Sequence, residues 1–298
     1  MISASDYAYL QTMLKTRSGL VLAADKGYLV ESRLLPVARQ FGFATIGELV
    51  ARLRSPAGHV ELQTVVEAMT TNESFFFRDK LPFDAFQSVV LPALLQQTPA
   101  GQPIRIWCAA ASSGQEPYSL AMLLSENAAM VAGRRIEIIG TDISQPILER
   151  AREGIYTQFE VQRGLPVHYL AKYFAKVGER WQVSAQIRKM VTYKFLNLLE
   201  NFSQLGVFDV VFCRNVLIYF DVETKRDVLE RMATVMRPNG VLVLGGAETV
   251  LGLTGAFQPL ESQRCLFRVD RVASDRTGRN AGLSPKAVNW RLAGAASG

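Results

Sequence analysis

The sequence predicts an α/β fold, a mostly parallel sheet flanked by helices and preceded by an all-helical N-terminal region. Three observations carry this expectation. Apolar runs at 104–108 (IRIWC), 136–141 (IEIIGT), 190–195 (MVTYKF), 208–213 (FDVVFC) and 241–246 (VLVLGG) alternate with helical segments, the pattern of parallel strands buried on both faces. Residues 1–70 instead carry apolar residues at three- and four-residue spacing. Residues 155–190 break the alternation with short alternating pieces and a turn around Gly178, which predicts a small inserted β-subdomain.

In chain order, YAYLQTMLKTRSGL, GYLVESRLLPVARQFG, TIGELVARLR and HVELQTVVEAMT read as helices, punctuated by Gly19, Gly42 and Gly58 as helix-end and loop glycines. Arg33, Arg39, Arg52 and Arg54 lie among them, either as a basic cluster or as a solvated helix face. The segment TTNESFFFRD at 70–79 fits neither a helix face nor a linker. Its phenylalanines are expected to pack into a cleft between domains, with Asn72, Ser74 and Arg78 closing over a ligand. IRIWCAAASSGQEPYSLAMLL then runs strand, tight loop, helix, with Pro117 suited to the first helical position. That order presents backbone N–H groups at the carboxyl edge of a sheet. The loop reads AAASSG and not G-x-G-x-x-G, so Cβ atoms stand where a dinucleotide fold needs bare backbone. It favours a nucleoside ligand without a diphosphate.

Further on, a helix at roughly 221–236 has Asp221 as N-cap and Val228, Leu229, Met232, Val235 and Met236 as its buried stripe. RPNG at 237–240 reads as the turn into the next strand, and FQPLESQRCLFRV as a terminal antiparallel hairpin around Glu261–Gln263. From residue 271 the chain is rich in small and polar residues without periodicity and reads as a disordered tail. Trp290 within it is either a docking residue or incidental. The expected divisions are a helical domain at 1–70, a linker contributing to the ligand site at 71–90, an α/β domain at 91–270 with its β-subdomain about 155–190, and the tail at 271–298.

Composition excludes several classes. The 298 residues are 49% hydrophobic and 20% charged, as in soluble globular proteins. No apolar run approaches the roughly 18 residues of a membrane span, so no membrane insertion is expected. MISASDYAYL lacks the basic and apolar regions of a signal peptide, which points to the cytoplasm. Cys108, Cys213 and Cys265 form no C-x-x-C pair and read as reduced, mostly buried thiols. His59 and His168 stand far apart, so neither a zinc site nor a serine-type triad is expected. Of the net charge of +6, +4 belongs to the tail, through Arg271, Arg276, Arg279, Lys286 and Arg291 against Asp275. The remainder is too small for a strongly basic face, and no nucleic-acid partner is expected.

Ligands of an open parallel sheet bind outside the carboxyl ends of its strands. Glu116, at the loop–helix junction, either accepts from a ligand ammonium group or is a helix-start acid stabilised by the dipole. Asp142 ends the second strand in IIGTDIS, where an acid can accept from both ribose hydroxyls. The alternative is an N-cap for a helix beginning near Gln145; the ribose is favoured because loop and acid occur together. Asn215 follows the fourth strand and would face the ligand and any second substrate. Tyr219, four residues on, could orient an acceptor or contact a cation through its ring, or be a core aromatic.

Together TTNESFFFR, WCAAASSGQEPYSLAM, GTDIS, NLLE and FDVVFCRNVLIYF resemble, in this order over residues about 70–248, the chemotaxis receptor methyltransferase (CheR) family. NESFFFR and CRNVLIYF are specific, whereas a strand followed by Asp142 is generic to methyltransferases. The resemblance implies a Rossmann-like S-adenosylmethionine-dependent methyltransferase sheet with a small inserted antiparallel β-subdomain and an N-terminal all-helical domain. It implies a protein-glutamate O-methyltransferase that uses S-adenosyl-L-methionine to methylate glutamates on the cytoplasmic region of chemoreceptors for chemotactic adaptation. The N-terminal domain would engage the receptor helices. Position by position, the resemblance implies cofactor contacts from Asn72, Ser74, Arg78, Glu116, Asp142, Asn197, Leu198, Asn215 and Val216, with Ser74 where a threonine is common. Tyr219 corresponds to a tyrosine of the substrate-facing site.

Tyr219 and Arg78 are the residues expected to orient the acceptor and enclose the cofactor, neither as an obligate proton shuttle. A glutamate with a pKa of about 4.3 is already ionised at neutral pH, and the methyl carbon is activated by the cofactor's sulfonium. Two departures stand out. SRLLPVARQ has Pro36 and Val37 amid only Arg33 and Arg39, where the receptor-facing helix of the family is usually richer in arginine. In the family, the loop that AKVGERWQV resembles carries extra glycine-containing residues where the subdomain binds a receptor's C-terminal pentapeptide; AKVGERWQV lacks these, so no such tether is expected. A monomer is expected. The rival readings are a methyltransferase acting on nucleic acid or a small molecule, and a non-catalytic S-adenosylmethionine-binding signalling module. R-N-V-L-I-Y after the fourth strand, unlike an N-P-P-Y-type run, and the completeness of the cofactor motifs argue against them.

Overall fold

A computed structural model describes residues 2–261 and 263–270; the tail expected to be disordered, with Trp290, lies outside the described residues. The N-terminal helices form where the apolar spacing places them: α1 (Ala4–Ser18), α2 (Gly27–Gln40), α3 (Ile46–Leu53) and α4 (His59–Met69). Leu10, Leu14, Leu34, Val50 and Val65 build a core of their own between these helices. Ser3 and Thr45 cap α1 and α3 by accepting from backbone N–H groups, and Gly19 ends α1 at φ 77°. Arg33 donates to the Met69 and Thr70 carbonyls at the end of α4, Arg52 pairs with Glu61, and Arg54 pairs with Asp6. Those three arginines are tied within the helical region, while Arg39 is exposed.

A bent helical run follows, α5 (Leu81–Ala85), a π-helical turn at Phe86–Val90, and α6 (Leu91–Gln97). Then β1 (Ile104–Ala109), α7 (Gln115–Glu126), β2 (Ile136–Asp142) and α8 (Gln145–Glu153) alternate. The inserted subdomain comprises β3 (Ile155–Thr157), α9 (Gln158–Gln162), α10 (Val167–Tyr173), β4 (Phe174–Val177), β5 (Arg180–Val183) and α11 (Ala185–Arg188). Alternation resumes with β6 (Val191–Phe195), β7 (Phe208–Cys213), α12 (Val222–Thr234) and β8 (Met236–Leu244), and β9 (Phe257–Leu260) with β10 (Gln263–Val269) closes the chain's sheet.

The main sheet has the order β6-β2-β1-β7-β8-β10-β9. The first five of these strands are mutually parallel, and β10 runs antiparallel to β8 and β9, as the terminal hairpin expectation requires. The chain winds from β1 outward through β2 to β6, then returns to place β7 on the other side of β1. The crevice at this reversal lies beyond the carboxyl ends of the strands. Alternate residues feed two cores: Ile104, Ile106, Cys108 and Phe212 face α7 and the 81–97 helical run, while Trp107, Ala109, Val211 and Cys213 face α12. Cys108, Cys213 and Cys265 are buried free thiols.

Three local expectations are corrected. Pro117 is the third residue of α7, which starts at Gln115; its missing N–H is harmless there because first-turn N–H groups have no intrahelical partner. RPNG does not precede β8 but belongs to it. Between the Phe208–Met236 and Val210–Val241 pairs β8 carries extra residues, with Asn239 at φ 65°, so the segment is a bulge that lets the strand begin early. Met236 consequently leaves the helical stripe for the strand, while Val228, Leu229 and Met232 remain the buried face of α12.

The subdomain sheet is antiparallel, order β3-β5-β4, with Gly178 at φ 58° in the β4–β5 turn. It explains the triple phenylalanine. Phe76 is fully buried, edge-on to Tyr156 of β3 and Phe174 of β4, and Phe77 stacks on Tyr169 of α10. The segment is therefore pinned by the β-subdomain, whose rings share one core with the sheet, and not only by a cleft between domains. Gly164 makes the approach possible: at φ 82°, a Cβ on it would lie 2.1 Å from the Phe76 carbonyl oxygen. Among the described residues no helix is long and apolar enough to cross a membrane.

Candidate functional site

The loop after β1 curls tightly, with Ala110, Ser112 and Gly114 at φ 60°, 50° and 95°. Gly114 cannot be replaced without strain, since a Cβ there would also meet the Tyr193 hydroxyl at 2.6 Å. The curl aims the Ser112 N–H at Asp142, whose Oδ2 accepts it at 2.8 Å while Oδ1 accepts from the Ser144 N–H at 3.0 Å. Ser144, not Asp142, caps α8, accepting from the Ile147 N–H; the N-cap alternative for Asp142 fails. Asp142 is 5% exposed. Burial pushes its carboxyl above the ordinary aspartate value, against the lowering effect of the backbone N–H groups.

The 72–78 segment forms a second wall. The Ser112 hydroxyl donates to the Asn72 carbonyl at 2.8 Å, and the Phe77 N–H donates to Ser119 Oγ at 3.0 Å, so both ends are fastened to the β1–α7 unit. Arg78 donates to the Glu73 carbonyl at 2.8 Å and lies over the Phe75 ring. A third wall comes from the end of β6. Asn197 Nδ2 donates to the Arg17 carbonyl at 2.7 Å, and its Oδ1 accepts from the Leu199 N–H. The fourth is the loop after β7, with Asn215 at φ 58° and a 3-10 turn over Leu217–Tyr219. The N-terminal region reaches this wall too: Val21 N–H donates to the Tyr219 carbonyl at 2.9 Å, and Lys15 pairs with Asp221.

These walls enclose one cleft of about 960 Å³, counting its open mouth. Asn72, Ser74, Arg78, Glu116, Asp142, Asn197, Leu198, Asn215, Val216 and Tyr219 all line it, as do Ser18 and Leu20 of the N-terminal region.

Two residues that the sequence did not single out organise the cleft. Arg214 has a side chain only 1% exposed. It donates to Glu116 Oε2 at 2.8 Å, to Asp79 Oδ2 at 2.8 Å and to the Arg78 carbonyl at 2.7 Å, with its guanidinium over the Phe83 ring. Among the described residues its Nε is buried without a partner. Glu116 is thus more than a helix-start acid. Burial pushes its carboxyl up and Arg214 opposes that shift. Glu248 is the second: its carboxylate accepts from the N–H groups of Asn215, Val216, Leu217 and Gly245. The only sequence signal for Arg214 was its place in CRNVLIYF, a charge directly after a wholly buried strand; nothing in GGAETV marked Glu248.

The chain matches family models along most of its length. Residues 72–266 match the CheR methyltransferase SAM-binding domain, and residues 5–70 the CheR methyltransferase all-alpha domain. It is 42% identical over 261 residues to chemotaxis protein methyltransferase 1 of Pseudomonas aeruginosa, a match covering 86% of this chain and 94% of that protein. Identity to chemotaxis protein methyltransferase Cher2 of Pseudomonas putida is 40% with the same coverage. Identity to the chemotaxis protein methyltransferase of Borreliella burgdorferi is 34% over 258 residues, 84% of this chain and 90% of that protein.

The cleft's donor set fits S-adenosylmethionine, the cofactor of the matched domain. Two carboxylates shielded from water, Asp142 and Glu116, line the cleft at the end of β2 and the start of α7, as acceptors for hydroxyl and ammonium donors. Among the described residues no group of three or more His, Cys, Asp and Glu could hold a metal ion.

Proposed function

The chain belongs to the CheR methyltransferase family, and from that premise we propose that it is a protein-glutamate O-methyltransferase acting on the cytoplasmic region of chemoreceptors in chemotactic adaptation. The observation that carries the reading is the convergence of Asp142, Glu116, Arg78, Asn215 and Tyr219 on one cleft at the reversal of strand order.

In this reading Asp142 accepts from the cofactor's ribose hydroxyls and Glu116 from its ammonium group, while Asn72, Ser74, Asn197, Leu198, Asn215 and Val216 shape the surrounding wall. S-adenosylmethionine supplies, when bound, a methyl group activated by its sulfonium. The chain's own task is placement and exclusion of water. The acceptor carboxylate is already ionised at neutral pH, so no general base is needed. Tyr219, whose carbonyl is held by the Val21 N–H, orients the acceptor, and Arg78, held on the Glu73 carbonyl and Phe75 ring, encloses the cofactor. Neither moves a proton.

The N-terminal helices would meet the receptor, with Arg39 exposed on α2. The tight turn at Gly178 between β4 and β5 gives no support to a tether for a receptor's C-terminal pentapeptide. A cytoplasmic monomer is the working state. The test is calorimetric titration with S-adenosylmethionine and its demethylated product, run beside turnover on receptor fragments. Binding with turnover supports the proposal; binding without turnover on several receptors identifies a non-catalytic module instead.

A further inference from the structure

We propose that Glu248 is a positioning residue of the methyl-transfer site: its carboxylate sets the backbone of the loop that carries Asn215 and Tyr219. The proposal rests on reading the cleft as that site. Glu248 Oε2 accepts from the Asn215 and Gly245 N–H groups, each at 2.8 Å, and Oε1 accepts from Val216 at 3.0 Å and Leu217 at 2.9 Å. One carboxylate thus ties together the loops that follow the adjacent strands β7 and β8.

The loop needs such a partner. Consecutive N–H groups of residues 215–217 face the same way because Asn215 adopts φ 58°, and the 3-10 turn that starts at Leu217 supplies no acceptor for its own leading N–H groups. An array of this kind is an anion-binding concavity, and here the anion is a side chain of the same protein. Hydrogen bonds from N–H to an ionised carboxylate are about twice as strong as neutral ones. Gly245 keeps the space open: a Cβ on it would lie 2.8 Å from Glu248 Oε2 and 2.9 Å from Asn215 Nδ2. Asn215 and Val216 line the cleft, and Tyr219 ends the same turn. Glu248 is not among the lining residues, so it acts through the loop.

The test uses the full chain with Glu248→Ala and the near-isosteric Glu248→Gln, which keeps one acceptor oxygen. The readouts are amide hydrogen exchange in the ligand-free protein and calorimetric binding of S-adenosylhomocysteine. In Glu248→Ala the amides of 215, 216, 217 and 245 should exchange at least about tenfold faster while the β1 and β7 amides stay protected. Product binding should weaken by about tenfold, with Glu248→Gln between it and the parent. Should Glu248→Ala not fold, Glu248→Gln with Gly245→Ala decides by the same readouts. Unchanged protection of these amides, or unchanged product binding despite lost protection, overturns the proposal. Neither readout uses an acceptor protein, so this result stands or falls separately from receptor methylation.

Discussion

The Arg214 guanidinium, closed in by Glu116, Asp79 and the Arg78 carbonyl, couples the 72–79 segment to the start of α7 through residues far apart in sequence. Breaking a buried pair strands the remaining charge, so Arg214→Met should destabilise the protein by about 3 kcal/mol or more in denaturant unfolding. Arg214→Lys should recover only part of this, because an ammonium cannot reproduce the fork to two partners. The carboxyls of Asp142 and Glu116 are both pushed up by burial. A raised carboxyl is a cost to the fold in its ionised state, relieved as pH falls through the folded value. Ligand binding has the opposite sign, since an ionised carboxylate accepts more strongly than a protonated one from hydroxyl and ammonium donors. Calorimetry from neutral pH downward should therefore find cofactor affinity falling at a pH above the ordinary aspartate and glutamate range. Asp142→Ala should be weak throughout. Tyr219→Phe should lower turnover more than cofactor affinity, separable as kcat against KM. The strand-end positions of Asp142, Arg214 and Asn215 were legible from the apolar runs before them, and all three line the cleft. The partners of Arg214 and Glu248 were not, since they are set by which loops the sheet brings together.

Among the elements, the strands were legible because burial on both faces leaves unbroken apolar runs, and α12 because Asp221 and its apolar stripe agree. Asp221 Oδ1 does accept from the Thr224 N–H at 2.8 Å. Its contact with Lys15 of α1 could not be read locally, and that ammonium, with the cap, holds the Asp221 carboxyl below its ordinary value. Stability from this depression is present above the ordinary aspartate value and lost as pH falls through and below it. Asp221→Ala should cost about 1 kcal/mol as an N-cap loss at neutral pH, and thermal unfolding of variant and parent should converge in acid. The bulge in β8 and the helices of the β-subdomain escaped the pattern for a different reason: RPNG has turn chemistry wherever it sits, and short amphipathic pieces do not separate helix from strand. Gly164→Ala should cost at least about 1 kcal/mol from its left-handed φ alone. The clash with the Phe76 carbonyl adds to that and should loosen the 72–78 wall.

Over the whole molecule, the α/β class and the helical N-terminus were legible from alternation and periodicity, and the cleft was anticipated as a set of strand-end residues. The order of the strands, which decides that those ends meet, depends on long-range pairing that no local pattern encodes. The N-terminal region also proves to be part of the cleft, lining it with Ser18 and Leu20 and holding the Tyr219 and Asn197 loops through Val21 and Arg17. The proposed reaction is methyl transfer from S-adenosylmethionine to receptor glutamates. Its most direct measurement is incubation of the full chain with receptor cytoplasmic fragments and methyl-labelled cofactor, followed by mild alkali. Label is expected on the receptor, lost when the acceptor glutamates are replaced by glutamine, and released by alkali as methanol. Label that resists alkali, or that appears on RNA and not on the receptor, would contradict it.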